Sequence, residues 1–257
     1  MTDATFAVGE RVLLVDSRDR RYLVTLRPGA SFHTHAGIVQ HDQLIGAEDG
    51  GIVEASTGRT FLALRPTMGD VVLKMPRGAQ VIYPKDLGAI LIQADIAPGV
   101  RVLEAGVGSG ALSMCVLRAG AIVKGYEIRE EFAKQAQENV RSMLGDNQPY
   151  DVEIRDVTEG IDERNLDRIL LDMPEPHKVV AHAETALRPG GILLCYLPSI
   201  NQTQLLREYL SESRFGMEET VEVLRRTWHI ERQSVRPDHR MVAHTGFLTS
   251  ARLLAPR

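Results

Sequence analysis

The chain reads as a small all-β domain followed by an α/β domain built on a mostly parallel sheet. Three observations carry that reading. Up to about residue 65, apolar residues come in short runs broken by turn signals. From Val100 onward, short apolar strands alternate with glycine turns and a helical period. Between the two textures lie Pro66, Pro76, Pro84 and Pro98, punctuation that suits a junction. The expected division is a β domain over 1–68, a connecting segment over 69–99 and an α/β domain over 100–257.

In the first domain, RVLLVD, RYLVTL, GGIVEAS and RTFLALR are the expected strands. In the second, RVLEAG, AIVKGYE, DVEIRD, DRILLD and GILLCYL read as five short strands. Between the second and third of these, Phe132, Ala136, Val140, Met143 and Leu144 recur at helical spacing. Strands alternating with helices imply a parallel sheet covered on both faces. The tail adds two β-rich stretches, EETVEVLRRTWHI and TGFLTSARLL, which would pair as an antiparallel hairpin at the sheet edge.

The composition, 44% apolar and 25% charged over 257 residues, is that of an ordinary globular protein. MTDATFAVGE has an early acid and no apolar core, unlike a secretory signal, and no run nears the ~18 uncharged apolar residues of a membrane span. Cys115 and Cys195 sit in apolar contexts, as buried thiols of a reducing compartment do. These features predict a cytoplasmic chain without a membrane segment. The histidines of FHTHAGIVQH (His33, His35, His41) have no fixed acid or thiolate beside them, so no metal is expected. Net charge is −4, yet residues 221–257 hold seven arginines against three acids, a local basic footprint.

Open α/β sheets bind ligands beyond the carboxyl ends of their strands. The first such end reads EAGVGSGAL, where Gly106, Gly108 and Gly110 allow a tight turn and a close backbone approach. Gly106, Gly108 and Ala111 also satisfy G-x-G-x-x-A, and Glu127 falls where a dinucleotide site places its ribose acid. The turn alone therefore suits a nicotinamide or an S-adenosylmethionine enzyme. Three acids separate the two. Glu104 precedes the glycines by two residues, Asp156 ends the third strand, and Asp172 ends the fourth in LLDMPEP. Four acids at consecutive strand ends make a negative crevice, which a sulfonium cation tolerates and a pyrophosphate does not. This order, with LRPGG before the fifth strand, resembles the class I S-adenosylmethionine-dependent methyltransferases, a Rossmann-like fold.

The resemblance narrows further. RPT, KMPRGAQVIYPKD, VLEAGVGSGAL, LLDMPEP and RPDHRMVAHTGFL together are similar to the tRNA adenine-N1 methyltransferases that act on adenine 58 of the T-loop. The similarity spans nearly the whole chain and implies an N-terminal β domain, a Rossmann-like catalytic domain and a homotetramer. His177 departs from it, standing where the family often has Trp.

Carried onto this sequence, the resemblance makes Gly106, Val107, Gly108, Ser109, Gly110 and Ala111 the cradle for the methionine moiety of S-adenosylmethionine. Glu104 would face the amino-acid end, Glu127 the ribose hydroxyls and Asp156 the adenine. Asp172 would face both cofactor and target base, with Tyr83 and Tyr196 lining the base pocket. Arg225, Arg226, Arg232, Arg236 and Arg240 are the expected tRNA phosphate contacts, with Lys74, Arg77 and Lys85 as further cations nearer the site. Methylation at N1 of adenine needs no general base, because N1 already offers an in-plane lone pair. Asp172 is thus expected to orient the base and to stabilise the positive charge that the ring gains. Methylation of a protein or small molecule, or a silent tRNA-binding subunit, are the alternative readings.

Overall fold

The computed structural model describes residues 4–78 and 80–256, so the first three residues, Ala79 of the GAQ motif and Arg257 of the basic tail lie outside the description. Two compact units divide between Met75 and Pro76.

The first unit contains β1 (Arg11–Asp16), β2 (Arg21–Thr25), β3 (Ser31–Thr34), β4 (Gly37–Gln40), β5 (Ile52–Glu54), β6 (Thr60–Leu64) and α1 (Met68–Lys74). A four-stranded antiparallel sheet has the order β2-β1-β6-β5, and β3 and β4 form a separate hairpin. Alternate residues of β1 and β6 point inward, and Val12, Leu14 and Phe61 join Phe6, Leu26 and Val39 in one core. The β3–β4 hairpin occupies the histidine segment, which the sequence pattern did not mark as strand. There the His41 ring accepts the Arg27 N–H at Nδ1 and His33 Nε2 contacts Ser31 Oγ. Helix α1 starts at a reciprocal cap, in which Thr67 and Asp70 bond each other's backbone N–H groups.

The second unit begins with α2 (Pro84–Gln93), β7 (Arg101–Ala105), α3 (Ala111–Arg118), β8 (Ile122–Glu127), α4 (Glu130–Leu144), β9 (Tyr150–Ile154) and β10 (Leu166–Leu171). It continues with α5 (Val180–Ala186), β11 (Leu187–Leu197), α6 (Ile200–Ser211), β12 (Phe215–Glu222), β13 (Trp228–Glu231), β14 (Ser234–Pro237) and β15 (Phe247–Leu253). Seven strands form one sheet in the order β12-β15-β11-β10-β7-β8-β9. From β11 to β9 the pairings are parallel, while β15 runs antiparallel to both β11 and β12. The mostly parallel sheet with an antiparallel edge is therefore present. The stretch EETVEVLRRTWHI is, however, not one strand. Its first part is β12, and its end is β13, which pairs with β14 in a two-stranded arm between β12 and β15.

Chain order runs outward from β7 through β8 to β9, then returns to β10 on the other side of β7. That reversal is the switch point at which this class of sheet opens a crevice. The buried face of β10 explains its continuous apolar run, with Ile169, Leu170 and Leu171 at most 1% exposed.

Arg168 is the exception in that run. It is buried, donates Nε to the Ala94 carbonyl and Nη2 to Asp95 Oδ2 (2.9 Å) and the Asp95 carbonyl (3.1 Å), and so fixes the end of α2 against the sheet. Arg168→Met should leave these acceptors unpaired, at roughly 1–3 kcal/mol for each one that stays buried. The expected result is a fall in melting temperature of roughly 5–15 °C for a protein of this size. A fall below about 2 °C in a thermal scan would remove Arg168 from this role.

Candidate active site

At the switch point the strand ends converge. Gly106 follows β7 with φ +81°, and a Cβ built there would stand 2.0 Å from the Asp172 carbonyl oxygen. Only glycine fits, for both reasons. The Asp172 N–H in turn donates to the Ala105 carbonyl at 2.9 Å, so the residue after β10 is bonded to the end of β7. Gly108 donates its N–H to Glu127 Oε2 at 2.9 Å, and the Arg129 N–H reaches Glu127 Oε1 at 3.1 Å. The acid at the end of β8 thereby holds the glycine turn in shape as well as facing the crevice.

Glu104 lies within β7, 1% exposed, and accepts a hydrogen bond from Ser113 Oγ at 2.6 Å. Burial pushes its carboxyl up to about 8; the Ser113 bond opposes that, and the Asp172 and Glu127 charges add to it. Asp172 is half-buried, and among the described residues its carboxylate has no hydrogen-bond partner. Burial, with the Glu127 charge adding, pushes it up to about 7. Asp156 is different. It is exposed, accepts the hydroxyl and backbone N–H of Thr158 (2.7 and 2.8 Å), and these bonds hold its carboxyl below the usual range.

A cleft of about 510 Å³ runs over these groups, lined by Gly106, Gly108, Glu127, Asp156 and Asp172. A narrow inner recess beside it touches Glu104, Val107, Ser109 and Ala111. Gly110 lines neither; its α-carbon faces Ala136, letting the turn pack on α4. A second cavity of about 230 Å³ adjoins the cleft and shares Asp172, Met173, Pro174 and Gln80 with it. Tyr196 lines this second cavity, its hydroxyl donating to the Thr245 carbonyl at 2.7 Å. Tyr83, at the start of α2, lines a third cavity of about 520 Å³ that shares Gln80, Pro198 and Thr245 with the second.

The structure thus brings Glu127, Asp156, Asp172 and Tyr196 around two joined cavities, with Glu104 on the recess beside them. It does not bring the expected phosphate contacts there, although Arg129, Arg155 and Lys178 also line the cleft. Arg225, Arg226, Arg232, Arg236 and Arg240 are all exposed, on the β13–β14 arm and the chain flanking it, with the Arg226 guanidinium 5.9 Å from the Trp228 ring centroid. Lys85 is no free cation either, since its side chain is only 4% exposed and three acceptors surround it. Sequence reasoning missed Gln80, Ile128, Gln202 and Thr245 as lining residues. Gln80 and Thr245 fall within the quoted motifs, but an amide and a hydroxyl carry no spacing signal of their own.

Residues 61–236 match the family described as "tRNA methyltransferase complex GCD14 subunit", and residues 5–53 match a TrmI-like N-terminal domain. A tRNA (adenine(58)-N(1))-methyltransferase TrmI from Thermus thermophilus is 37% identical over 245 residues, 94% of this chain and 96% of that one. The chain belongs to this tRNA methyltransferase family. Another member, from Methanocaldococcus jannaschii, is also 37% identical, covers 94% of both chains and is named for adenines 57 and 58. Among solved structures, TrmI from Aquifex aeolicus superposes with a TM-score of 0.86 at 30% identity, over 98% of this chain and all of that one. A Thermotoga maritima structure described as a SAM-dependent O-methyltransferase superposes at 0.94, with 34% identity over 99% and 96% of the two chains.

The family uses S-adenosylmethionine, and the residues present fit it. Gly106 and Gly108, both at positive φ, line the cleft with bare backbone, and Asp172, without a hydrogen-bond partner among the described residues, offers its carboxylate to a cation.

The raised carboxyls have a consequence for stability. The folded state keeps protons on Asp172 and Glu104 up to about 7 and 8, whereas an unfolded chain loses them near pH ~4. The folded state thus binds more protons between those limits, and these two groups make the free protein less stable as pH rises through that window. Asp172→Asn should flatten the fall in melting temperature between pH 5 and pH 8. An unchanged slope would mean that Asp172 is ionised in the free protein.

Proposed function

We propose that the chain transfers a methyl group from S-adenosylmethionine to N1 of adenine 58 in the tRNA T-loop. One observation carries this reading: the Asp172 carboxylate, without a hydrogen-bond partner among the described residues, lines both the cleft and the second cavity, so one charge faces two bound groups. S-adenosylmethionine supplies a methyl group on a cationic sulfur. The glycine turn and Glu104 would take its amino-acid end, Glu127 the ribose hydroxyls, and Asp156 with the exposed apolar face of Ile128 the adenine.

In the second cavity Tyr196 presents a ring face suited to a base splayed out of the T-loop. Asp172 can accept the exocyclic amine of that base and so turn N1 toward the cleft. Alignment of this kind is the larger part of what the reaction needs. As the ring becomes cationic, the fixed carboxylate is worth more than in the ground state. A cationic neighbour also favours the ionised form of Asp172, which offsets the effect of burial.

The exposed arginines of the arm would hold tRNA phosphates. The protein would work in the cytoplasm as a homotetramer. Charge neutralisation at phosphates releases counterions, so tRNA affinity should fall steeply with salt. Replacing Arg225 and Arg226 with glutamine should reduce the slope of log Kd against log salt by about 1–2. A wild-type slope near zero would remove the phosphate contacts.

Labelled S-adenosylmethionine with unmodified tRNA, followed by nucleoside analysis, tests the reaction itself. The expected product is 1-methyladenosine; label on a ribose hydroxyl would favour the O-methyltransferase description of the Thermotoga structure. Asp172→Asn should lower kcat by about 10²–10³, with cofactor affinity changed by no more than a few-fold. Near-normal turnover would end the role given to Asp172.

A further inference from the structure

Lys85 and Asp86, at the start of α2, form a buried ion pair that neither the cleft nor the arginines explain. Asp86 is 0% exposed. Lys85 Nζ donates to Asp86 Oδ1 at 2.8 Å, to the Val223 carbonyl at 2.6 Å and to Thr245 Oγ1 at 2.5 Å. Three acceptors use all three ammonium protons. The Thr245 hydroxyl passes its own proton to Asp86 Oδ2 at 2.6 Å, and the Thr245 carbonyl accepts the Tyr196 hydroxyl at 2.7 Å.

Two placements give this network a purpose. Val223 and Thr245 flank residues 224–244, the segment containing the β13–β14 arm, so one ammonium ties both roots of the arm to α2. The chain then presses on the base pocket directly. A Cβ at Gly246 would stand 2.5 Å from Cε2 and Cζ of Tyr196 and 2.8 Å from its hydroxyl oxygen, so the backbone there lies close against the hydroxyl end of the ring and a shift at 245–246 moves it. Burying an ion pair is a poor way to gain stability, and such pairs are best accounted for where they specify geometry.

We infer that Lys85 and Asp86 are positioning residues for the base pocket, clamping the arm roots and, through Thr245, setting the Tyr196 ring beside Asp172. The inference rests on the function proposed above. It assigns Lys85 an internal role in place of a phosphate contact.

A double-mutant cycle on the full chain tests it, with labelled S-adenosylmethionine and unmodified tRNA. Lys85→Met keeps length and apolar packing but removes the clamp. Its kcat, corrected for folded fraction, should fall at least about ten-fold, since small misplacements of a reacting group carry losses of that order or more. Cofactor Kd should stay within about three-fold. Tyr196→Phe frees the ring from Thr245 and should lose activity as well. Because the two act through one path, the double variant should be no more than about three-fold worse than the poorer single. Thr245→Val, which removes one hydroxyl and leaves the ion pair, keeps the test available should Lys85→Met not fold. It should show a smaller loss that is likewise non-additive with Tyr196→Phe.

Multiplicative losses, a fully active Tyr196→Phe, or a Lys85→Met chain that loses only thermal stability would overturn the positioning role while leaving the methyltransferase reading intact. A wild-type chain that leaves tRNA unlabelled would overturn both.

Discussion

No side chain fits at position 106, and the site follows from that constraint. The Asp172 carbonyl occupies the space a Cβ would need, which brings the ends of β7 and β10 together at the one place where the sheet reverses its order. Glu104, Glu127 and Asp172 are then gathered at the edge of a buried sheet, where burial first and the neighbouring carboxylates second push the Glu104 and Asp172 carboxyls up. Ionising both groups in the free protein is therefore unfavourable. A bound cation relieves this cost, whereas a pyrophosphate would add to it. The same glycine turn that permits a dinucleotide site in the sequence is thus turned against one by the acids around it.

Much of this was legible in advance because it depends on local rules. A buried parallel strand shows as an apolar run and its end as an acid or glycine, which marks Gly106, Glu127 and Asp172; Asp156 instead follows the half-exposed edge strand β9 and is marked only by its place in the strand order. What escaped notice lacks a period. The β3–β4 hairpin has four residues per strand, β3 alternating exposed and half-buried positions and β4 burying Val39 alone, and its histidines look like loop chemistry. The break between β12 and β13 falls in residues with good strand propensity, VLRRT, where the chain leaves the sheet for the arm. Gln80 and Thr245 reach the cavities through tertiary placement alone.

Charge shows the limit most clearly. A count of arginines and lysines treats Lys85 and Arg226 alike, yet one is enclosed by three acceptors and the other is exposed beside Trp228. Those acceptors come from residues 86, 223 and 245, and no sequence window joins them. Lysine suits the enclosed position. Its compact ammonium satisfies three acceptors around a point, whereas the flat guanidinium of arginine would aim its donors in one plane.

On the proposed reading, holding the tRNA backbone and aligning the target base are mechanically joined. The arm that carries the arginines leaves the sheet at Val223 and returns at Thr245, the two points that Lys85 fixes. Thr245 also carries the carbonyl that holds Tyr196. A rigid root lets the exposed arm adapt to an RNA surface without disturbing a pocket in which N1 must meet the methyl in line. Because the chemistry asks for no proton transfer, alignment is where rate is gained or lost. The buried pair is therefore better placed behind the pocket than in it, where its charge would compete with Asp172 for the amine of the base.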